Sequence, residues 1–156
     1  MDTTRSAEVD SPFGPLSVVE KNGAIVAIDW QSPARSDETP LLRRASQQLA
    51  AYFAGDLTEF DLPLKPKGDA FQQAVCKAML DIPYGETTTY GAIADKLDTY
   101  GQPVGNACGA NSIPIIIPCH RVLASGGKIG GFSAPSGIQL KQSLLNLEAR
   151  LVNATD

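Results

Sequence analysis

The hydrophobic positions in the first third of the chain follow a strand pattern and then a helical one. Two apolar-rich segments, Pro15 to Glu20 and Ala24 to Trp30, are joined by Lys21-Asn22-Gly23, and Asn-Gly is typical of a tight hairpin turn. Thr39-Pro40 is typical of a helix start, and Gly55 of a helix end. Between them, apolar residues recur at helical spacing: Leu41, Ala45, Leu49 and Phe53.

The apolar spacing in the rest of the chain predicts mostly helices. Asp69 is a candidate cap for a helix that ends before Pro83-Tyr84-Gly85, and Thr87-Thr88-Thr89 can cap a second one. A short segment of small residues follows from Val104 to Ala110. Ser136-x-x-Gln139 is a capping-box pattern before the last helix. The apolar face of that helix carries Leu140, Leu144, Leu147 and Leu151.

The chain is predicted to form two domains of the α+β class. The proline-rich segment from Leu62 to Gly68 indicates a connection, so we expect a sheet-and-helix domain at residues 1–66 and a mostly helical one at residues 67–156. Helices at roughly residues 88–97 and 102–110 match a helix-turn-helix. The second helix has no Lys or Arg, which argues against base readout in the major groove. Its small residues suit either close approach to a narrow groove or tight packing on another helix.

Composition limits the function classes. A hydrophobic fraction of 43% and a charged fraction of 19% fit a soluble globular protein, and no stretch has the apolar length of a membrane span or a signal peptide. Three cysteines without a disulfide-like pattern fit a reducing compartment, so a cytoplasmic protein is expected. One histidine and no Cys-x-x-Cys pair argue against a zinc site, and no metal or other cofactor is expected.

The net charge of −4 argues mildly against nucleic acid as a partner, but the charge is unevenly distributed. Residues 1–66 hold six Lys/Arg against ten Asp/Glu, whereas residues 67–156 hold seven of each. If the C-terminal part binds phosphate, it must use backbone amides, helix N-termini and a few cations.

The candidate chemistry lies in I-P-I-I-I-P-C-H-R-V-L, from Ile113 to Leu123, where Cys119 stands beside the chain's only histidine, His120. Pro118 cannot donate a ladder hydrogen bond, so the chain must change direction there. A thiol is nucleophilic as thiolate, and a basic neighbour promotes that form. Although a free cysteine more often only fills space, the flanking prolines and the glycine-rich turn Ser125-Gly126-Gly127 favour a reactive thiol in an open pocket.

Several motifs occur in a recognisable order. They are Ile82-Pro83-Tyr84-Gly85-Glu86-Thr87-Thr88-Thr89-Tyr90, Asn111 to Val122 with its Pro118-Cys119-His120-Arg121-Val122 ending, Gly126 to Ser133, Lys141 to Glu148 and, more weakly, Ala51 to Gly55. Together they resemble the O6-alkylguanine-DNA alkyltransferases over about residues 69–150. The resemblance implies a ribonuclease-H-like N-terminal sheet domain and a helical C-terminal domain whose helix-turn-helix binds the DNA minor groove. It also implies a monomer whose partner is double-stranded DNA containing O6-alkylguanine.

The activity implied is that of a methylated-DNA–protein-cysteine S-methyltransferase that repairs DNA directly. A damaged guanine is flipped out of the stack, and its O6-alkyl group, or that on O4 of thymine, passes irreversibly to Cys119 in a single turnover. His120 is expected to act through a water as the base, and Glu148 to orient the imidazole. Tyr90 is expected to supply a proton or hydrogen bond to the departing guanine.

The same resemblance implies residues that bind DNA or the flipped base. Ser133 is expected in the pocket loop near O6, Asn111 is expected to tie the helix-turn-helix to the active-site loop, and main-chain groups at Val122 are expected to read the base edge. The other candidates are Thr89, Gln102, Gly105, Ala107 and Arg121. Cys76 and Cys108 are expected to be packing residues.

One position departs from the family pattern. Gln102 stands where the family usually carries an arginine that enters the duplex and fills the space left by the flipped base. Glutamine can hydrogen-bond to the orphaned base but adds no attraction to phosphate. We therefore expect weaker flipping or DNA affinity, or insertion by another residue such as Tyr100.

Two other functions are open at this point. Alkyltransferase-like proteins share this domain but lack the acceptor cysteine and flag lesions to other repair proteins; Cys119 argues against such a sensor, whereas Gln102 and the acidic charge are compatible with it. A cysteine hydrolase that uses Cys119 and His120 is disfavoured, because adjacent side chains on an extended segment point to opposite faces.

Overall fold

The structure is a computed structural model that describes residues 4–30, 36–124 and 137–154. The chain divides into two compact units, Met1–Pro66 and Lys67–Asp156. The first is a sheet with one helix and the second is mainly helical, so the predicted α+β class is confirmed. Within the described ranges, no helix is both long and apolar enough to cross a membrane.

The N-terminal unit contains a three-stranded antiparallel sheet. Its strands, in spatial order, are β1 (Arg5–Val9), β2 (Leu16–Lys21) and β3 (Ala24–Asp29). Asn22 and Gly23 both have positive φ, 52° and 80°, as a two-residue hairpin turn that follows the strand twist requires. The predicted hairpin is therefore confirmed, whereas β1 has too short an apolar alternation to be recognised from the sequence.

Helix α1 (Pro40–Ala54) begins and ends where the sequence predicts. The Thr39 hydroxyl accepts a hydrogen bond from the Leu42 amide at 3.0 Å, and Gly55 adopts the left-handed conformation that ends the helix. The predicted buried face is wrong by one position at both ends, because Leu41 and Phe53 are only half-buried. The buried side chains are Leu42, Ala45, Leu49 and Tyr52.

The predicted connection, Leu62 to Gly68, begins as part of the N-terminal sheet. The Ile25 amide donates to the Pro63 carbonyl, and the Lys65 amide donates to the Ile25 carbonyl, both at 2.8 Å. This parallel bridge uses the Pro63 carbonyl and needs no donor from a proline. The segment is therefore attached to β3 at a single point, Leu64, and the rest of it has no regular strand pairing.

The helices described in the C-terminal unit are α2 (Ala70–Leu80), α3 (Tyr90–Lys96), α4 (Gly101–Gly109) and α5 (Gly137–Ala154). Strands β4 (Thr88–Thr89) and β5 (Val122–Leu123) pair in parallel. Two predicted caps are confirmed, because Asp69 accepts from the Gln72 amide and Thr89 from the Ala92 amide. The predicted capping-box serine, Ser136, lies outside the described residues.

Helices α3 and α4 form the predicted helix-turn-helix. The chain leaves α3 through Asp98, whose φ is 56°, and the Thr99 amide donates to the Ala94 carbonyl at 3.0 Å. These two features close a compact turn of the type that ends many helices. Tyr100 is the N-cap residue of α4, and its side chain makes no capping hydrogen bond.

Candidate active site

The loop that leads to Cys119 is built from two tight three-residue turns. The Ile116 amide donates to the Pro114 carbonyl at 2.9 Å around Ile115, and the Cys119 amide donates to the Ile117 carbonyl at 2.8 Å around Pro118. Ile115 has a φ of 74°, a conformation that a β-branched residue rarely adopts. The expected change of direction therefore begins before Pro118, and burial of the isoleucines on both sides holds the strained turn in place.

Asn111 fixes this loop from the end of α4. Its side-chain amide donates to the Ile117 carbonyl at 2.8 Å, and its carbonyl oxygen accepts from the Ile113 amide at 3.0 Å. The Asn111 amide in turn donates to the carbonyl of Cys108 on α4. Asn111 thus joins the helix-turn-helix to the loop that carries the cysteine.

The Cys119 thiol is more deeply buried than the sequence suggested. Only 3% of the residue is exposed, and burial raises the pKa of the thiol to about 11 in spite of a hydrogen bond from Asn111 and the nearby positive charge of Lys141. The expectation of an open, ionised sulfur is therefore wrong for the resting protein, because desolvation disfavours the charged form. At neutral pH a thiolate forms in quantity only if a base takes up the proton.

His120 and Glu148 form a fully buried hydrogen-bonded pair. The Nε2 atom of His120 lies 2.6 Å from Oε2 of Glu148, while its Nδ1 atom has no hydrogen-bond partner within the described part of the chain. Burial lowers the pKa of His120, so the imidazole is neutral near pH 7. Because an ionised carboxylate can only accept, we assign the proton to Nε2, which leaves a basic lone pair on Nδ1.

Glu148 is held as a carboxylate by several donors. It accepts two hydrogen bonds from Arg121, at 2.8 and 3.0 Å, and one from the Gly85 amide at 3.3 Å, besides the one from His120. Burial raises the pKa of Glu148, but the hydrogen bonds from His120 and Arg121, together with the positive charge of Arg121, more than offset it and lower the pKa to about 2. Four donors thus keep this acid ionised and fixed in orientation.

Arg121 occupies a different place from the expected one. Its guanidinium binds Glu148 in a bidentate manner, donates to the Ile82 carbonyl at 2.8 Å and lies 5.6 Å from the centre of the Tyr84 ring. The residue is buried, so this geometry does not support the expectation that Arg121 contacts DNA. Its contacts instead fix Glu148, and through it His120.

Lys141 is a site residue that sequence reasoning did not single out. It is almost fully buried on α5, and its Nζ donates to the Val122 carbonyl at 2.7 Å and to the Tyr90 hydroxyl at 3.4 Å. Burial lowers the pKa of Lys141, and its charge lowers the pKa of Cys119. The seven-residue spacing from Lys141 to Glu148, two helical turns, could have indicated a shared face.

Tyr90, Thr89 and Gly105 lie together at the start of the helix-turn-helix. Thr89 caps α3, Tyr90 is its first residue, and a side chain at Gly105 would begin about 3.9 Å from the Tyr90 ring. Burial raises the pKa of Tyr90, and negative charge on Cys108 or Cys119 would raise it further. The phenol is therefore protonated and can donate a hydrogen bond.

The other residues predicted to contact DNA or the flipped base differ in exposure. Gln102 is exposed on the first turn of α4, whereas Ala107 is buried with its carbonyl bound to Gln72 at 2.7 Å. Of the two roles that the sequence allowed for the small residues of α4, Ala107 therefore has the second one, packing on another helix. Val122 is buried in β5, and its carbonyl already accepts from Lys141. Ser133 lies outside the described residues.

The remaining cysteines are buried packing residues, as expected. Burial raises the pKa of Cys76, and it raises the pKa of Cys108 to about 12, so neither thiol is poised to react at neutral pH. Among the described residues, no group of His, Cys, Asp or Glu side chains is arranged to hold a metal ion.

Comparison with known proteins gives one consistent result for both units. Family models match residues 5–66 as the ribonuclease-like domain, and residues 70–150 as the DNA binding domain, of 6-O-methylguanine DNA methyltransferase. The match over residues 5–66 also confirms the expected ribonuclease-like N-terminal domain.

Individual relatives agree along most of the chain. The methylated-DNA–protein-cysteine methyltransferase of Methanosarcina mazei is 47% identical over 150 residues, which is 90% of this chain and 94% of that protein. Its counterpart in Mycobacterium tuberculosis is 45% identical over 149 residues, with 90% and 89% covered. The crystal structure of Mycobacterium tuberculosis OGT in complex with DNA matches with a TM-score of 0.84 at 41% identity and covers 94% of each chain. On sequence and fold together, the chain belongs to the 6-O-methylguanine DNA methyltransferase family.

Proposed function

We propose that this protein repairs alkylated DNA by moving the alkyl group from O6 of guanine, or O4 of thymine, to the sulfur of Cys119. The observation that carries the proposal is the buried contact between Nε2 of His120 and Glu148, which leaves Nδ1 without a hydrogen-bond partner among the described residues. His120 directly follows Cys119, whose thiol is mostly protonated at neutral pH because burial raises its pKa to about 11. The names of the relatives support the substrate class.

The proposed reaction balances within this site. The Cys119 proton passes, through a water, to Nδ1 of His120, and the sulfur attacks the alkyl carbon. The new S–C bond forms as the C–O6 bond breaks, and the electron pair left on the guanine is neutralised by a proton from the Tyr90 hydroxyl. Lys141 stabilises the anion on Tyr90 and the thiolate. Because a thioether is not cleaved by any group in the site, each molecule reacts once.

The protein's DNA-binding part in this proposal is residues 67–156, and its partner is a duplex entered from the minor groove. Exposed Gln102 lies on α4, whose run of small residues permits close approach to the DNA. We place the reaction in the cytoplasm, because all three cysteines are free and the acceptor must stay reduced.

Mass spectrometry after incubation with duplex DNA containing O6-methylguanine tests this function. We expect one methyl group on the peptide that contains Cys119, in stoichiometric amount and without turnover. The Cys119→Ser variant is the control and should remain unmodified. An unmodified wild-type protein that binds the lesion tightly would reject transfer and support the lesion sensor, the second candidate.

Replacing Lys141 with methionine is expected to slow transfer about tenfold, because the thiolate and the Tyr90 anion lose a nearby cation. The rate should be measured with O6-benzylguanine as a free base, so that DNA affinity plays no part. Lys77→Met, at an exposed position of α2, is the matched control and should keep the wild-type rate. Equal rates for the two variants would contradict a role of the Lys141 charge.

A further inference from the structure

Tyr100 is an unusual surface residue of the C-terminal unit. Among the described residues, only two large hydrophobic side chains are exposed, Tyr100 at 69% and Leu80 at 47%. Tyr100 is the first residue before α4, and its side chain does not cap the helix. An exposed aromatic ring at this point therefore has no evident role in stabilising the fold.

The backbone on both sides of Tyr100 is held firmly. The compact turn through Asp98, closed by the hydrogen bond from Thr99 to Ala94, fixes the chain before it. After it, a side chain at Gly101 would begin 3.9 Å from Cβ of Tyr90, so the start of α4 lies against the start of α3. The backbone at Tyr100 is thus fixed between α3 and α4, and the next residue, Gly101, lies against Tyr90, which we propose donates to the departing guanine.

Helix α4 offers no cation that could draw DNA towards the pocket, since its sequence G-Q-P-V-G-N-A-C-G contains neither Lys nor Arg. A protein that opens a base step without a cation on the helix facing the DNA needs another source of attraction at that helix. Aromatic rings stack on bases of any sequence, and proteins that bind the minor groove insert apolar wedges between base steps.

We propose that the ring of Tyr100 enters the duplex beside the flipped nucleotide and stacks on the bases left behind. The amide of Gln102, exposed on the first turn of α4, hydrogen-bonds to the orphaned partner base. Stacking by Tyr100 stabilises the DNA with its base flipped out, and Gln102 adds polar contacts. This inference rests on the proposed alkyl transfer and assigns the step that makes the base accessible to one residue.

Single-turnover rates on two substrates test the role of Tyr100. With duplex DNA containing O6-methylguanine, Tyr100→Ala should react about tenfold more slowly than the wild type, whereas Tyr100→Phe should keep most of the rate because it keeps the ring. With the free base O6-benzylguanine, which needs no flipping, all three proteins should react equally. Leu80→Ala, which removes the other exposed apolar side chain, is the control and should match the wild type on both substrates.

Each outcome has a defined meaning. A Tyr100→Ala rate on duplex DNA within about twofold of the wild type would overturn the proposal, as would an equal loss on the free base, which indicates damage to the pocket. A Tyr100→Phe variant as slow as Tyr100→Ala would also overturn it, because the hydroxyl rather than the ring would then be required. Wild-type protein that methylates Cys119 in these assays shows that the proposed function holds even where the assignment of Tyr100 fails.

Discussion

Replacing Glu148 with alanine is expected to destabilise the C-terminal unit by about 3–5 kcal/mol and to abolish alkyl transfer. The substitution leaves the guanidinium of Arg121 buried without its carboxylate partner, and it removes the acceptor that fixes the proton of His120 on Nε2. Urea unfolding followed by circular dichroism, which reports on the helices of this unit, measures the loss of stability.

The Glu148→Gln variant separates the chemical role of Glu148 from its structural one. A neutral amide of the same shape retains part of the contact with Arg121, so the loss of stability should be smaller. If its NH₂ group faces Nε2 of His120, the imidazole must carry its proton on Nδ1 and can no longer accept one from Cys119. The rate should then fall about 10²–10⁴-fold, the usual worth of a positioned base. A folded Glu148→Gln variant with the wild-type rate would show that the orientation of His120 does not matter.

The pH dependence of stability provides a second check on Glu148. Its pKa falls from an ordinary value of 4.5 to about 2 in the folded protein, so the ionised form stabilises the fold above pH 4.5. This contribution should be lost as the pH falls from about 4.5 towards 2. The Glu148→Ala variant should show a weaker acid dependence, and an unchanged one would mean that other acids determine it.

Local features of this fold were predictable because their cause lies within a few residues. The Asn22-Gly23 turn and the caps at Thr39, Asp69 and Thr89 each depend on side-chain or backbone preferences that the sequence displays directly. The burial of one face of α1 was less predictable. Leu41 and Leu42 are adjacent and equally apolar, and only packing on the sheet determines which of them is buried.

The long-range contacts of the site could not be inferred from composition. Arg121 and Lys141 are residue types that usually lie at the surface, yet both are buried where the turn carrying Cys119 meets α5. Arg121 and Glu148 are 27 residues apart in sequence, and their pairing depends on how α5 packs. The motif resemblance identified Cys119, His120 and Glu148, whereas the roles of the two buried cations required the structure.

The protonation state of Cys119 was the property that could least be predicted from the sequence. The basic side chain of His120 beside Cys119 suggested that the thiol would be ionised. The structure instead places Cys119–Arg121 in a single 3-10 turn, directs His120 to Glu148 and buries the thiol. Proximity in sequence thus pointed to an ionised thiol, whereas burial favours the protonated form.

Replacing His120 with glutamine is therefore expected to make the reaction depend on the rare spontaneous ionisation of Cys119. With a thiol pKa of about 11, roughly one molecule in 10⁴ carries a thiolate at pH 7, so the rate should fall about 10²–10⁴-fold. In this variant the rate should rise about tenfold per pH unit below pH 11, because each unit multiplies the thiolate fraction by that factor.

The wild-type protein should behave differently, because its base and nucleophile act together. Burial lowers the pKa of His120 from its ordinary 6.5, so the imidazole is neutral and the transfer rate should be nearly constant through the neutral range. Stopped-flow measurements with O6-benzylguanine as a free base, from pH 6 to 9, distinguish the two profiles without interference from DNA binding. A His120→Gln variant whose rate is independent of pH, or within about tenfold of the wild type at pH 7, would remove His120 as the base. The proton of Cys119 would then have to leave by a route that does not include the imidazole.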